Sequence, residues 1–256
     1  MIWDVLKASA FTFAPYSAGG DSGALFLAVS RKNPGVRYVI KSATPELACN
    51  EFMYSKIASL LGLHTQEAKL FKGIRGHKYA VGIRFSPNAR KFRHDDADES
   101  NRRDFYAFQT LYVILNEEDS QEFFIDERER VFKLDNAAAF NIGAILAGAT
   151  FTGAIPDKWM ESKIESLIQS SLSHTEYDKY GIMLRILTER YGQEAGNVSL
   201  DMFKRFAAFD ETALDEAYIS LDVVYPERLS DYYREFIRNR KAECGRFLRE
   251  KGMAIT

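Results

Sequence analysis

The 256-residue chain is poor in cysteine: Cys49 and Cys244 lie far apart in sequence. They supply neither a disulfide framework nor a metal-ligand pair, and they suit a compartment in which thiols stay reduced. Histidine is scarce as well, and His64, His77, His94 and His174 are too scattered to suggest a zinc site or a Ser-His-Asp set. Neither sign of charge is in excess, with 34 Lys and Arg against 36 Asp and Glu, a net charge of -2. That balance argues against a general nucleic-acid binder, whose affinity comes from a basic face neutralising phosphates. It leaves room for a small anionic ligand such as a nucleotide. No hydrophobic run is long enough to span a bilayer: the least polar stretch, Ala137 to Ile155, holds Asn141, two threonines and three glycines, short of the roughly 18 consecutive apolar residues a span needs. The start, Met1-Ile2-Trp3-Asp4-Val5-Leu6-Lys7, has an early acid and no basic lead into an apolar run, so it does not read as a secretory signal. The expectation is a cytoplasmic protein off the membrane. Low-complexity tracts and solenoid-period repeats are also missing, which excludes an array.

What is present is core material. Hydrophobic residues make up 46% of the chain and aromatics 13%, and chains of this length bury roughly 70–75% of the surface they expose when unfolded. The first part is strand-like. Ala24 to Val29 and Arg37 to Lys41 read as a hairpin around the turn signal Asn33-Pro34-Gly35. A helix follows, with Thr44 as cap, Pro45 at its first position, Glu46 in its first turn and Gly62 as its stop. Lys69-Leu70-Phe71 and Tyr79 to Ile83 read as a second hairpin. The charged segment Arg90 to Asp104, with His94-Asp95-Asp96-Ala97-Asp98-Glu99, reads as a solvated loop rather than a metal site. Helical spacing runs from Phe105 to Leu115, and Glu122 to Asp126 with Val131 to Asp135 forms a further hairpin. Beyond about Pro156 the pattern is helical: Asp157 to Leu172, Tyr177 to Tyr191, Leu200 to Phe209 and Leu229 to Lys251. The basic residues of the last segment, Arg234 to Lys251, read as the solvated side of an amphipathic helix rather than a partner-binding face.

A strand-rich part joined to a helical part can hold a nucleotide between them. Lys41 closes its strand, and Glu51 sits ten residues later in the following helix, a spacing that can bring ammonium and carboxylate together. A lysine ordered this way can grip phosphate oxygens, and phosphoryl transfer is catalysed mainly by positioning and charge stabilisation. Gly19, Gly20 and Gly23 flank Asp21 and Ser22 in a loop that reads either as an ordinary turn or as a backbone cradle for phosphate. Asp135, at a strand exit, could hold Mg²⁺ or cap a following Ala-rich helix.

At these residues the chain resembles the HipA-like kinases, relatives of protein kinases and phosphoinositide kinases. The resemblance rests on Tyr38-Val39-Ile40-Lys41, Asn50-Glu51-Phe52, Ile57 to Leu63, and Leu134-Asp135-Asn136 through Phe140, with Ser17 to Ser22 as a less specific match. It covers most of residues 17 to 140. It implies an α+β, bilobal protein-kinase-like fold: a small antiparallel-sheet N-terminal lobe with one helix over residues 1–84, and a mostly helical C-terminal lobe over 85–256. ATP and Mg²⁺ would lie between the lobes. Gly19, Gly20, Asp21 and Ser22 would face phosphates, Lys41 would contact them, Glu51 would orient Lys41, and Asp135 would bind metal. The chain from Ile83 through Phe85 to Pro87 would bond adenine through its backbone.

The family's Asp-x-His-x-x-Asn catalytic loop corresponds here to Leu115-Asn116-Glu117-Glu118-Asp119-Ser120-Gln121-Glu122. With Glu122 at the metal-binding Asn position, Glu117 falls at the catalytic Asp. A register shifted by two puts Asp119 at the base and Phe124, which cannot coordinate, at the metal ligand. The expectation is an ATP- and Mg²⁺-dependent kinase acting on a Ser or Thr hydroxyl of a protein, with itself as one candidate substrate. The alternative is a pseudokinase that binds a nucleotide or a partner without transfer.

Overall fold

The strand ending in Lys41 is where the fold and the candidate site join. The computed structural model describes residues 4–17, 25–41, 44–74, 77–117, 122–140, 179–225 and 229–254. Six strands, β1 (Val5–Lys7), β2 (Phe11–Tyr16), β3 (Leu25–Ser30), β4 (Arg37–Lys41), β5 (Ala68–Ile74) and β6 (His77–Arg84), form one sheet in the order β1-β5-β6-β4-β3-β2. Both expected hairpins are there as antiparallel pairs, β3 with β4 and β5 with β6. The sheet is larger than expected by its two edge strands, and β1 runs parallel to β5 rather than antiparallel.

Strand alternation divides β4 between two cores. Tyr38 and Ile40 turn to a small aromatic cluster with Phe11 and Phe71. Val39 and Lys41 lie in register with Ile83 and Val81, whose side chains belong to the larger core. A Cβ on Gly82 between them would meet Phe71 at 2.4 Å and Ile40 at 2.8 Å, so those side chains would have to shift to admit one.

Helix α1 (Pro45–Leu60) lies over the larger-core face. Thr44 accepts the N–H of Leu47, Pro45 opens the helix, and Gly62 at φ 80° ends it, as the sequence predicts. The helix is buried continuously from Ala48 to Tyr54, so the polar Asn50 and Glu51 are buried with it.

After Arg84 the architecture changes. Strands β7 (Arg90–Lys91), β8 (Glu122–Ile125) and β9 (Val131–Leu134) form a small antiparallel sheet, and α2 (Glu99–Ile114) starts earlier than expected. Asp98 caps it by accepting the Asn101 N–H. Asn101 then donates to Glu129 O and accepts the Val131 N–H, pinning the β8–β9 turn. Part of the charged segment read as a loop is therefore the first turn of a helix. Among the described residues four further helices follow: α3 (Lys179–Tyr191), α4 (Glu194–Ala208), α5 (Asp215–Val224) and α6 (Leu229–Glu250). The expected helix Asp157 to Leu172 lies outside the described residues. The arrangement is α+β and two-lobed, a sheet with one helix across it followed by a mainly helical region. Among the described residues no helix is long and apolar enough to cross a membrane.

Candidate functional site

Three elements converge on the Lys41 ammonium. It lies 2.5 Å from Glu51 Oε1 on α1 and 2.9 Å from Asp135 Oδ1, just beyond β9. The three side chains grade from inside to outside, with Glu51 2% exposed, Lys41 20% and Asp135 40%. Burial alone would lower the Lys41 pKa, but the carboxylates of Glu51 and Asp135 outweigh it and hold it above the usual lysine value. Lys41 is thus a fixed cation, tied on its inner side and open on its outer side. Lys41, Glu51 and Asp135, each proposed from sequence, are brought together.

A second cluster lies deeper. Lys133 alternates inward on β9, opposite the fully buried Phe123 of β8. Its ammonium pairs with the Glu117 carboxylate, donates to Asn136 Oδ1 at 2.7 Å, and sits 5.1 Å from the Tyr54 ring. Neither the Lys133 nor the Glu117 side chain has exposed surface. Asn136 donates in turn to Glu51 Oε2 at 3.4 Å, so the two clusters are linked through Glu51 and Asn136. Burial pushes the Glu117 carboxyl up to about 7 despite the opposing pull of Lys133. Its second oxygen, Oε2, is buried and has no hydrogen-bond partner. Beside this cluster a hollow bordered by Glu51, Tyr54, Ile83, Lys133 and Asn136 leaves about 10 Å³ free, roughly the space of one water.

The remaining sequence candidates are placed less centrally. Ile83 turns its side chain to that hollow while its backbone lies within the sheet between β4 and β5. The Phe85 N–H is already spent on Arg37 O at 2.9 Å, so a base edge would have to use groups beyond it. Glu122 pairs with Lys91 of β7 at 3.0 Å, and its register partner is Leu134, the residue before Asp135. Gly19, Gly20, Asp21, Ser22 and Asp119 lie outside the described residues.

The donor set around Asp135 fits Mg²⁺ carried in with phosphates. Among the described residues no three His, Cys, Asp or Glu side chains form a closed cage. Mg²⁺ bound with a nucleotide takes one or two carboxylates, phosphate oxygens and water. Asp135 offers a half-exposed carboxylate with only Oδ1 engaged by Lys41.

No family model matches the chain, and no curated protein matches it in sequence. Among solved structures it is similar to a Helicobacter pylori proinflammatory kinase, CtkA. The similarity has a TM-score of 0.49 at 11% identity and covers 93% of this chain and 98% of that one.

Sequence reasoning missed Lys133. The signal was its position: in Val131-Phe132-Lys133-Leu134 it shares a face with Val131, and a lysine there must carry a partner inward.

Proposed function

We propose that the chain is an ATP- and Mg²⁺-dependent kinase of the HipA-like type that transfers the γ-phosphoryl group to a Ser or Thr hydroxyl of a protein. The observation that supports it is the Lys41 ammonium held between the buried Glu51 and the half-exposed Asp135. Residues 1–84 and 85–256 act as the two lobes. Lys41 grips phosphate oxygens when the nucleotide enters, Glu51 keeps it aimed, and Asp135 with Glu122 holds the metal. Bound Mg²⁺ supplies charge neutralisation on the phosphates. In the transfer the acceptor oxygen bonds to the γ-phosphorus, the bond to the β-phosphate oxygen breaks, and the hydroxyl proton passes to a carboxylate of the 117–119 stretch. The loop carrying Gly19 to Ser22 covers the phosphates.

One observation favours a second reading, nucleotide binding without transfer. Glu117, at the base position of one register, is fully buried against Lys133, where no hydroxyl substrate reaches it. Under the first reading Asp119 serves as the base, so base and metal ligand Glu122 stand three residues apart here, not the five of the family's motif.

Calorimetry and labelled ATP test both. The wild type should bind ATP in a Mg²⁺-dependent manner, and Lys41→Ala or Asp135→Ala should weaken binding about 10- to 100-fold, the worth of one charge-assisted contact. Unchanged binding in both variants sinks the site assignment. Robust transfer of label to protein, abolished by Asp119→Ala, selects the kinase; tight binding without transfer selects the second reading.

A further inference from the structure

The turn that follows Asp135 begins and ends on left-handed backbone, with φ 62° at Asp135 and 61° at Phe140. Such angles are unfavourable for residues with side chains and persist where the surroundings over-determine them. Three elements do so here: at the end of α2, Leu115 O accepts the Phe140 N–H at 2.7 Å, and two others are remote in sequence. From α1, Asn50 donates both amide hydrogens to the turn, to Ala137 O at 2.6 Å and Ala139 O at 2.8 Å. From α6, Tyr233 donates its hydroxyl to Asn50 Oδ1 at 2.6 Å, and Tyr232 donates to Phe140 O at 2.8 Å. The Phe140 ring packs edge-on against Tyr233, with centroids 5.0 Å apart.

These hydroxyls do more than fill a core. Tyr54, Tyr106 and Tyr218 are also buried, yet their hydroxyls have no hydrogen-bond partner among the described residues. The two tyrosines of α6 instead spend theirs on one turn and on the side chain that holds it. Asn50 is the chain neighbour of Glu51, so one turn of α1 places the carboxylate that aims Lys41 and the amide that fixes the backbone after Asp135. The Tyr233 bond orients that amide so that its NH₂ faces the two carbonyls.

We propose that Asn50 and Tyr233 are positioning residues for Asp135, and that α6 thereby belongs to the support of the metal-binding segment. This rests on the reading of Asp135 as a Mg²⁺ ligand.

The test compares full-length wild type, Tyr233→Phe and Tyr218→Phe. Two measurements are made: amide hydrogen exchange in the free protein, and Mg²⁺ titration of binding to a non-hydrolysable ATP analogue. Tyr233→Phe keeps its ring and loses one hydrogen bond. It should speed exchange across residues 135–140 and raise the Mg²⁺ concentration at half-saturation about three- to tenfold, leaving analogue affinity without Mg²⁺ unchanged. Tyr218→Phe, which removes an unbonded hydroxyl, should change neither. An unmoved Mg²⁺ midpoint in Tyr233→Phe, with a wild type that binds Mg²⁺ and analogue together, overturns the positioning role alone. An equal loss of affinity with and without Mg²⁺ overturns it too, because that marks general damage. A wild type without Mg²⁺-dependent binding overturns the kinase reading and this inference with it.

Discussion

Lys41 and Lys133 both hold carboxylates around the Asp135-Asn136 stretch, and they differ in what else can reach them. The Lys41 side chain keeps 20% of its surface, and one of its two partners is the half-exposed Asp135. Under the proposed function it exchanges that partner for a phosphate oxygen without leaving Glu51. Lys133 has no exposed surface, and its partners Glu117 and Asn136 are buried with it. Under the proposed function the same pairing of ammonium and carboxylate serves binding at the mouth and cohesion in the interior, with solvent access deciding between them.

The sharpest way to break this comparison is to remove the inner lysine. Lys133→Ala leaves the Glu117 carboxylate buried without its cation, and breaking such a pair costs about 3–5 kcal/mol. Urea unfolding should show a loss of that size, larger than the loss caused by Lys41→Ala, whose site water enters. A Lys133→Met, Glu117→Leu double variant removes both charges and should recover most of the stability. If the double variant is as unstable as Lys133→Ala, packing rather than charge governs the interior site.

Much of the outer cluster was legible in the sequence because short-range rules govern it. Thr44 and Pro45 start α1, and the register from Lys41 to Glu51 follows once strand and helix are fixed. Asp135 was legible from its place at a strand exit. Of the inner cluster, Glu117 and Asn136 lie in segments the sequence singles out, but Lys133 itself is not legible, because a lysine in a short strand reads as solvent-facing until packing closes that face. The edge strands were hidden for other reasons. In β2, Pro15 interrupts a strand pattern and is tolerated because β2 lies at the edge of the sheet. The three-residue β1 follows Asp4, which pairs with Lys56 of α1 and Lys69 of β5. The start of α2 is hidden because the charges of its first turn match a loop's composition, whereas Asn101 and Arg102 are committed to tertiary partners.

A pH series refines the contrast. Burial raises the Glu117 carboxyl to about 7 from an ordinary value of 4.5. Between those values the folded chain binds a proton that the unfolded chain has released, so unfolding becomes easier as pH rises. The contribution of Glu117 is fully present below about pH 4.5 and is lost as pH climbs through about 7. In Glu117→Gln this dependence disappears, so the stability difference between wild type and variant should shift against the wild type from pH 4.5 to 7.5. Parallel stability curves in urea would show that Glu117 stays ionised throughout, matched in full by Lys133.

The smallest effect belongs to the outermost carboxylate. Glu122 pairs with Lys91 on the surface, with 35% and 58% of the two side chains exposed. Such pairs contribute under about 1 kcal/mol, so Glu122→Gln should barely move the urea midpoint. Its Mg²⁺ dependence is the informative quantity. Under the proposed function Asp135, the phosphates and water would supply the ion's other ligands, and Glu122 would have to leave Lys91 to join them. Its removal should therefore raise the Mg²⁺ midpoint for nucleotide binding only about two- to threefold, less than one full charge-assisted contact. A shift as large as that of Asp135→Ala would make Glu122 an equal ligand and would extend the solvent-accessible site from Lys41 across to β8. No shift would confine metal binding to Asp135 and leave Glu122 as the surface partner of Lys91.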